Sequence, residues 1–564
     1  MDALQYQDES WGREEVFGAR AIANWTPTSS ISVDIAADYS NDSSGPAAFY
    51  AAAAYPNIGV VPSPPAPPFR PLFNAVVSGD PTCVTDAGQL SNPACYGAAS
   101  ILTGSRFSNN NLYYDLDGNV VLPENETEVY GVSATVAWDL GDFELKSISG
   151  YRGFNASFNN DVDFSQYIVA ANLNSVYEQD QFSQELQLVG SLFDGKVDVV
   201  LGAYYFEEEA RELIDLLTSV AVANNFPNAP WFLRDDRNAS NESKAVFGQL
   251  TWHPTDKLHI TGGLRYTEDQ KDYYTLTAVN PTVAPLNRLE GAQTAEEVTP
   301  MVSIAYDFTE RLMGYVTYSE GFRDGGFPPR ITGSPTSVPT YDPEYANVWE
   351  AGFKSSLFSD RLRLNAAVFR TEYEDIQVAA LRTDLPPGAS SIALDNLAAA
   401  QLEGAELEAN WLITDNLRID YSLGLLNNEI DSVEGGVLQS GIYTVTNDNE
   451  LPYTPEITSN LGVSYYFDLQ SGAQVFLRGD WKTVGDQYLG VENIPEQFQA
   501  SYDIVNASAT YKFAGGKTEL AVGVKNATDE AYSSTAVIAN DVASVISRNI
   551  NRPRQFYAAL KLRF

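Results

Sequence analysis

The sequence is poor in sulfur, imidazole and positive charge. Its 564 residues include 2 Cys, 2 His and 3 Met. That leaves too few soft ligands for a multi-ligand zinc or iron–sulfur centre, which excludes metal catalysis of that kind. Lys and Arg number 34 against 74 Asp and Glu, a net charge of −40. With an isoelectric point near 4.2, the chain repels nucleic acid and anionic lipid faces, so nucleic acid is excluded as a partner. No run approaches the ~18 apolar residues of a spanning helix; the longest, AAFYAAAAY, stops at Pro56. The opening MDALQYQDESWGREE has neither a basic start nor an apolar core and does not read as a signal peptide. What is abundant is material for burial: 44% hydrophobic and 12% aromatic residues rule out wholesale disorder. Cys83 and Cys95, in the polar stretch GDPTCVTDAGQLSNPAC, admit a local disulfide in an oxidising compartment or two free thiols.

Period-two alternation recurs along most of the chain and predicts strands with two chemically different faces. In PMVSIAYDF, Val302, Ile304, Tyr306 and Phe308 share one face, while Ser303, Ala305 and Asp307 share the other. Leu520, Val522 and Val524 likewise oppose Glu519, Gly523 and Lys525. This pattern suits a soluble sandwich, propeller or solenoid with a dry core, or a membrane barrel with lipid outside and water inside. The connections discriminate between them. Short turns fall at 26–30, 139–142, 192–196, 253–257, 307–311, 357–361, 413–416, 468–472 and 513–516. Long polar connections alternate with them, at 41–127, 154–177, 211–240, 271–295, 323–343, 379–395, 431–454, 488–501 and 528–546. Propellers and solenoids repeat at a fixed period, which these hairpins lack. Tight turns on one rim and long loops on the other are the signature of an outer-membrane barrel. Trp138, Trp252, Phe308, Phe358, Trp411, Phe467 and Phe513 stand beside the turns, where an interfacial aromatic girdle belongs. The Pro-rich run at 60–71 lies in the longest loop and reads as an extended spacer.

Several blocks sharpen this reading: YVTYSEGFRDGGF (315–327), YDPEYANVWEAGFKSSLFSDRLRLNAAVFRTEYEDIQV (341–378), AQLEGAELEANW (400–411), LPYTPEITSNLGVSYYF (451–467), VKNATDEAY (524–532) and NRPRQFYAALKLRF (551–564). In order and spacing they resemble the barrel of TonB-dependent outer-membrane receptors, most closely over 296–564. The last strand ends on the aromatic Phe564, which resembles the assembly signal read by the barrel assembly machinery. The fold class expected is all-β: a large antiparallel up-and-down transmembrane β-barrel, about 19 strands of a 22-stranded family barrel. The resemblance also implies an N-terminal plug gripped by TonB. Nothing before the first strand, near 14–25, could form one. Residues 1–564 are thus expected to be one N-terminally incomplete barrel domain, without plug or signal peptide.

The resemblance implies a receptor, not an enzyme, that imports a scarce ligand with energy from the TonB–ExbB–ExbD complex. A ferric siderophore is the leading ligand; cobalamin, an oligosaccharide or an aromatic compound are alternatives, as is a passive porin or adhesin barrel. Lipid and lipopolysaccharide of the bacterial outer membrane are the expected surroundings. No cofactor, catalytic residue or resident metal is expected. Ligand contacts are sought where Arg and aromatics meet in long loops, since Arg forks onto oxyanions and rings stack. Tyr318, Phe322, Arg323, Phe327 and Arg330 form one such group; Trp231, Phe232, Arg234 and Arg237 form another. His253 and His259 read as ordinary turn and wall residues, and the acidic pairs Asp161/Asp163 and Asp448/Glu450 as solvated loop.

Overall fold

The computed structural model describes residues 15–44, 49–54, 113–114, 120–121, 125–161, 170–218, 232–279, 287–328, 337–382, 391–396, 399–433, 438–440, 443–539, 545–549 and 551–563. Cys83, Cys95, Asp163, Trp231, Arg330, Phe564 and the Pro-rich run lie outside them. Nineteen strands form one sheet. β1 (Val16–Thr28) and β2 (Ile31–Asp42) make the first hairpin. It is followed by β3 (Asn125–Asp139) and β4 (Phe143–Asp161), then β5 (Ala170–Leu192) and β6 (Val197–Thr218). Next come β7 (Phe232–Thr255) and β8 (Leu258–Val279), β9 (Asn287–Thr309) and β10 (Leu312–Arg323), and β11 (Glu344–Leu357) and β12 (Leu362–Glu374). The last hairpins are β13 (Ala399–Leu412) with β14 (Leu417–Ser432), β15 (Ile457–Asp468) with β16 (Gln474–Val484), and β17 (Tyr502–Lys512) with β18 (Thr518–Lys525). β19 (Gln555–Leu562) closes the series. Every strand pairs antiparallel with its neighbours in sequence.

All nine short turns join hairpins where the sequence places them, and local chemistry explains why. In the turn after β3, the Asp139 carboxylate accepts the Gly141 N–H at 2.8 Å, and Gly141 sits at φ +92°, a backbone state that favours glycine. In the turn after β13, Thr414 Oγ1 accepts the Leu417 N–H at 3.0 Å. The strands differ from expectation at their other ends: β4 to β9 run far into stretches read from sequence as loop, with β5 reaching 23 residues and β7 reaching 24. Beyond the apolar band both faces turn polar, as in Glu207, Glu209 and Arg211 on one face of β6 and Glu208 and Glu212 on the other. The alternation disappears there while the backbone ladder continues.

The outward face is apolar. Val302, Ile304, Tyr306 and Phe308 of β9 are all exposed, as are Val246, Leu250 and Trp252 of β7 and all seven aromatics of the predicted girdle. A face that would be a liability in water is the correct one against hydrocarbon.

β1 pairs with β2 alone and β19 with β18 alone among the described residues. All thirteen residues of β1 are exposed. The sheet nevertheless curls round. The loop segment Phe49–Ala54, which follows β2, pairs antiparallel with Val545–Asn549 of the loop between β18 and β19. The first and last hairpins are therefore joined at the extracellular end while their edges stay apart along the strands.

Candidate ligand-binding site

Register assigns each candidate residue to a face. Tyr318 lies opposite Val302 and Trp349, both exposed outward. Its ring centroid is 4.8 Å from that of Trp349, and its hydroxyl donates to Glu320 at 2.5 Å. Phe322, four residues on, shares that outward face by alternation. Arg323 falls on the lumen side, is exposed, and has no ion pair among the described residues.

After β10 the chain turns back over the lumen faces of β8 and β9. Lys271 Nζ sits 2.8 Å from Asp324 Oδ2 and donates to the Gly325 carbonyl at 2.8 Å. Gly326 and Tyr341 exchange two backbone hydrogen bonds at 3.0 Å. Gln377 Nε2 donates to the carbonyls of Asp324 and Asp342. Phe327 stacks on Tyr273, centroids 5.3 Å apart. Its ring fills the space over Gly291, where a Cβ would stand 2.4 Å from the nearest ring carbon. Burial pushes the Tyr273 phenol up to about 12. The glycine block of the sequence is thus a folded lip at the mouth, with Arg323 beside it. On the opposite, outward face of the same strands an open hollow of about 450 Å³ is lined mainly by Asn238, Ser240, Asp272, Tyr274, Glu290 and Ala292.

The second group of candidates is arranged differently. Phe232 opens β7. Arg234 forks onto Asp215 through two 2.7 Å bonds, and Arg237 is buried against Glu212 and Asp235. Those carboxylates neutralise both guanidinium groups and tie β6 to β7. Carboxylates at 207–209, 212, 215, 235 and 236 interspersed with Arg211, Arg234 and Arg237 were the signal in the sequence for this pairing.

An inner-wall cluster that the sequence reading missed joins Arg265 of β8 to Tyr204 of β6 and Phe247 of β7, with the guanidinium 5.6 Å from each ring centroid. No sequence motif connects these residues; they meet because Phe247 pairs with both Gly202 and Arg265. The ring occupies the space over Gly202. A cation flanked by two rings on a wetted wall can hold an aromatic or anionic ligand. Asp448 and Glu450 lie in a turn closed by Thr446, Asn449 and Asn493, and no metal-holding group of three ligands occurs among the described residues.

Comparison with known proteins agrees with this architecture. Residues 69–527 match the family model described as TonB dependent receptor-like, beta-barrel. The pesticin receptor of Yersinia enterocolitica is 25% identical over 67% of this chain and 51% of its own length. A probable TonB-dependent siderophore receptor, PiuA of Acinetobacter baumannii, is 24% identical over 61% of this chain and 44% of its own. The chain thus spans about half the length of the curated relatives it matches. Among solved structures, the ferric yersiniabactin uptake receptor FyuA of Yersinia pestis superposes with a TM-score of 0.74 at 17% identity, over 100% of this chain and 73% of that one. With the girdle, the alternating rims and the matched family model in agreement, the chain belongs to the TonB-dependent receptors of the outer membrane, of which it carries the β-barrel.

Proposed function

We propose that this barrel belongs to a receptor that captures a ferric siderophore outside the cell and imports it with energy delivered through TonB–ExbB–ExbD. The observation that carries the reading is the extracellular mouth: Arg323, without a paired carboxylate among the described residues, stands beside the aromatic lip of Tyr273 and Phe327. On a chain of net charge −40 this is a local attraction for an anionic chelate. Siderophore receptors among the relatives support the same class. The apolar face meets lipid, and the polar extensions above it meet lipopolysaccharide.

The open edge bears on energy coupling. β1 and β19 both run toward the turn rim, so an odd number of added strands restores antiparallel pairing throughout. Three would give the even number of 22. Unpaired backbone groups in hydrocarbon cost several kcal/mol each, so we infer that the two edges take further strands as partners. A plugless lumen would be an aqueous pore, which is the second reading. Growth of a receptor-deficient, iron-limited strain carrying the receptor tests both, with and without TonB. TonB-dependent import supports the proposal; growth indifferent to TonB overturns it.

A further inference from the structure

The chain's two histidines form a single unit. His253, near the end of β7, and His259, near the start of β8, bring their Nδ1 atoms to 2.7 Å, with rings nearly perpendicular at a centroid distance of 4.9 Å. His253 Nε2 lies 2.9 Å from Asp198 Oδ2 at the foot of β6, and His259 Nε2 lies 2.8 Å from Asp307 Oδ2 at the foot of β9. Four adjacent strands thus contribute one residue each to the chain Asp198–His253–His259–Asp307. The Ser191 hydroxyl holds the other Asp198 oxygen. Both imidazoles are partly exposed, at 24% and 30%, on the lumen side of the turn rim.

A count of protons shows what this arrangement requires. Two neutral imidazoles have two N–H groups between them. Each carboxylate draws one to the Nε2 that faces it. Two Nδ1 lone pairs then confront each other at 2.7 Å, which is repulsive unless a shared proton or a metal cation is bound there. Carboxylates on the far ring nitrogens are also the arrangement that orients metal-ligating histidines.

We propose that His253 and His259 bind one late first-row divalent metal ion, Cu²⁺ or Ni²⁺, through their two Nδ1 atoms, with lumen water completing the coordination. At metal–nitrogen distances of about 2.0–2.1 Å, ligands at a right angle stand ~2.9 Å apart and tetrahedral ligands ~3.3 Å. The observed 2.7 Å lies nearer the first, which favours tetragonal Cu²⁺ and octahedral Ni²⁺ over tetrahedral Zn²⁺. Among the described residues two protein donors converge, so the site is open and exchangeable. This inference is independent of the siderophore reading.

The test is titration of the protein, purified in detergent, with Cu²⁺, Ni²⁺ and Zn²⁺ separately, followed by calorimetry and, for Cu²⁺, by electron paramagnetic resonance. One Cu²⁺ per chain with two imidazole nitrogens is expected, with Zn²⁺ the weakest. His253→Gln and His259→Gln should each abolish the two-nitrogen signature. Asp198→Asn should keep that signature and weaken binding about 10–100-fold. Heat-modified gel mobility reports whether each variant is folded. Absence of stoichiometric Cu²⁺ binding by the unmodified protein overturns the proposal, as does a two-nitrogen signature that survives in both glutamine variants.

Discussion

Phe327 lies stacked on Tyr273, with planes 16° from parallel, so a loop residue after β10 rests on the lumen face of β8 two strands away. That contact and the Lys271–Asp324 ion pair at 2.8 Å hold the lip in place.

Replacing Gly291 by Val puts a side chain where the Phe327 ring now sits, since even a Cβ would stand 2.4 Å from it. The ring must leave, and the lip with it. Limited proteolysis within 324–343 should accelerate severalfold while the barrel keeps its heat-modifiable mobility. Unchanged cleavage would show that the stack does not anchor the lip.

Arg323 and Arg234 should behave in opposite ways. Arg323→Glu removes a lumen-side cation and is expected to weaken binding of an anionic ferric chelate about tenfold or more, with little change in stability. Arg234→Ala leaves Asp215, whose side chain is 3% exposed, without its bidentate partner, at a cost of about 1–3 kcal/mol. Its effect should appear in thermal unfolding and leave affinity unchanged. Fluorescence-quenching titrations alongside melting curves separate the two.

Alkaline pH should loosen the mouth first. The buried Tyr273 phenol is pushed up to about 12, so the fold favours its neutral form. That contribution is fully present below the unfolded phenol range near 10 and is lost as pH rises toward 12, about 2–3 kcal/mol at most. Tyr273→Phe should flatten the fall in stability across that window, measured by denaturant midpoints at successive pH values. A slope unaffected by the substitution would assign the loss to other groups.

Conductance checks the open edge. In planar bilayers the nineteen described strands alone should give unstable openings or none. A stable, closed, silent barrel formed by these nineteen strands would contradict the proposed gap.

The sequence by itself determined the wall. Alternation, which has a period of two in any strand, assigned Val302, Ile304, Tyr306 and Phe308 to one face, and Asp, Asn, Thr and Gly marked all nine tight turns, because such signals act within a few residues. It could not mark where β5 and β7 end, since polar residues on both faces carry no alternation while backbone pairing continues regardless of side chain. Only the tertiary structure decided the site. Tyr318 and Phe322 face outward and Arg323 faces inward because strand register, set by pairing across the sheet, fixes orientation. His253 and His259 gain chemistry only when Asp198 and Asp307 arrive from strands 55 and 48 residues away. The pairing of Phe49–Ala54 with Val545–Asn549 joins the two ends of the described chain. No local pattern encodes that contact, because it exists only once the whole sheet has curved round on itself.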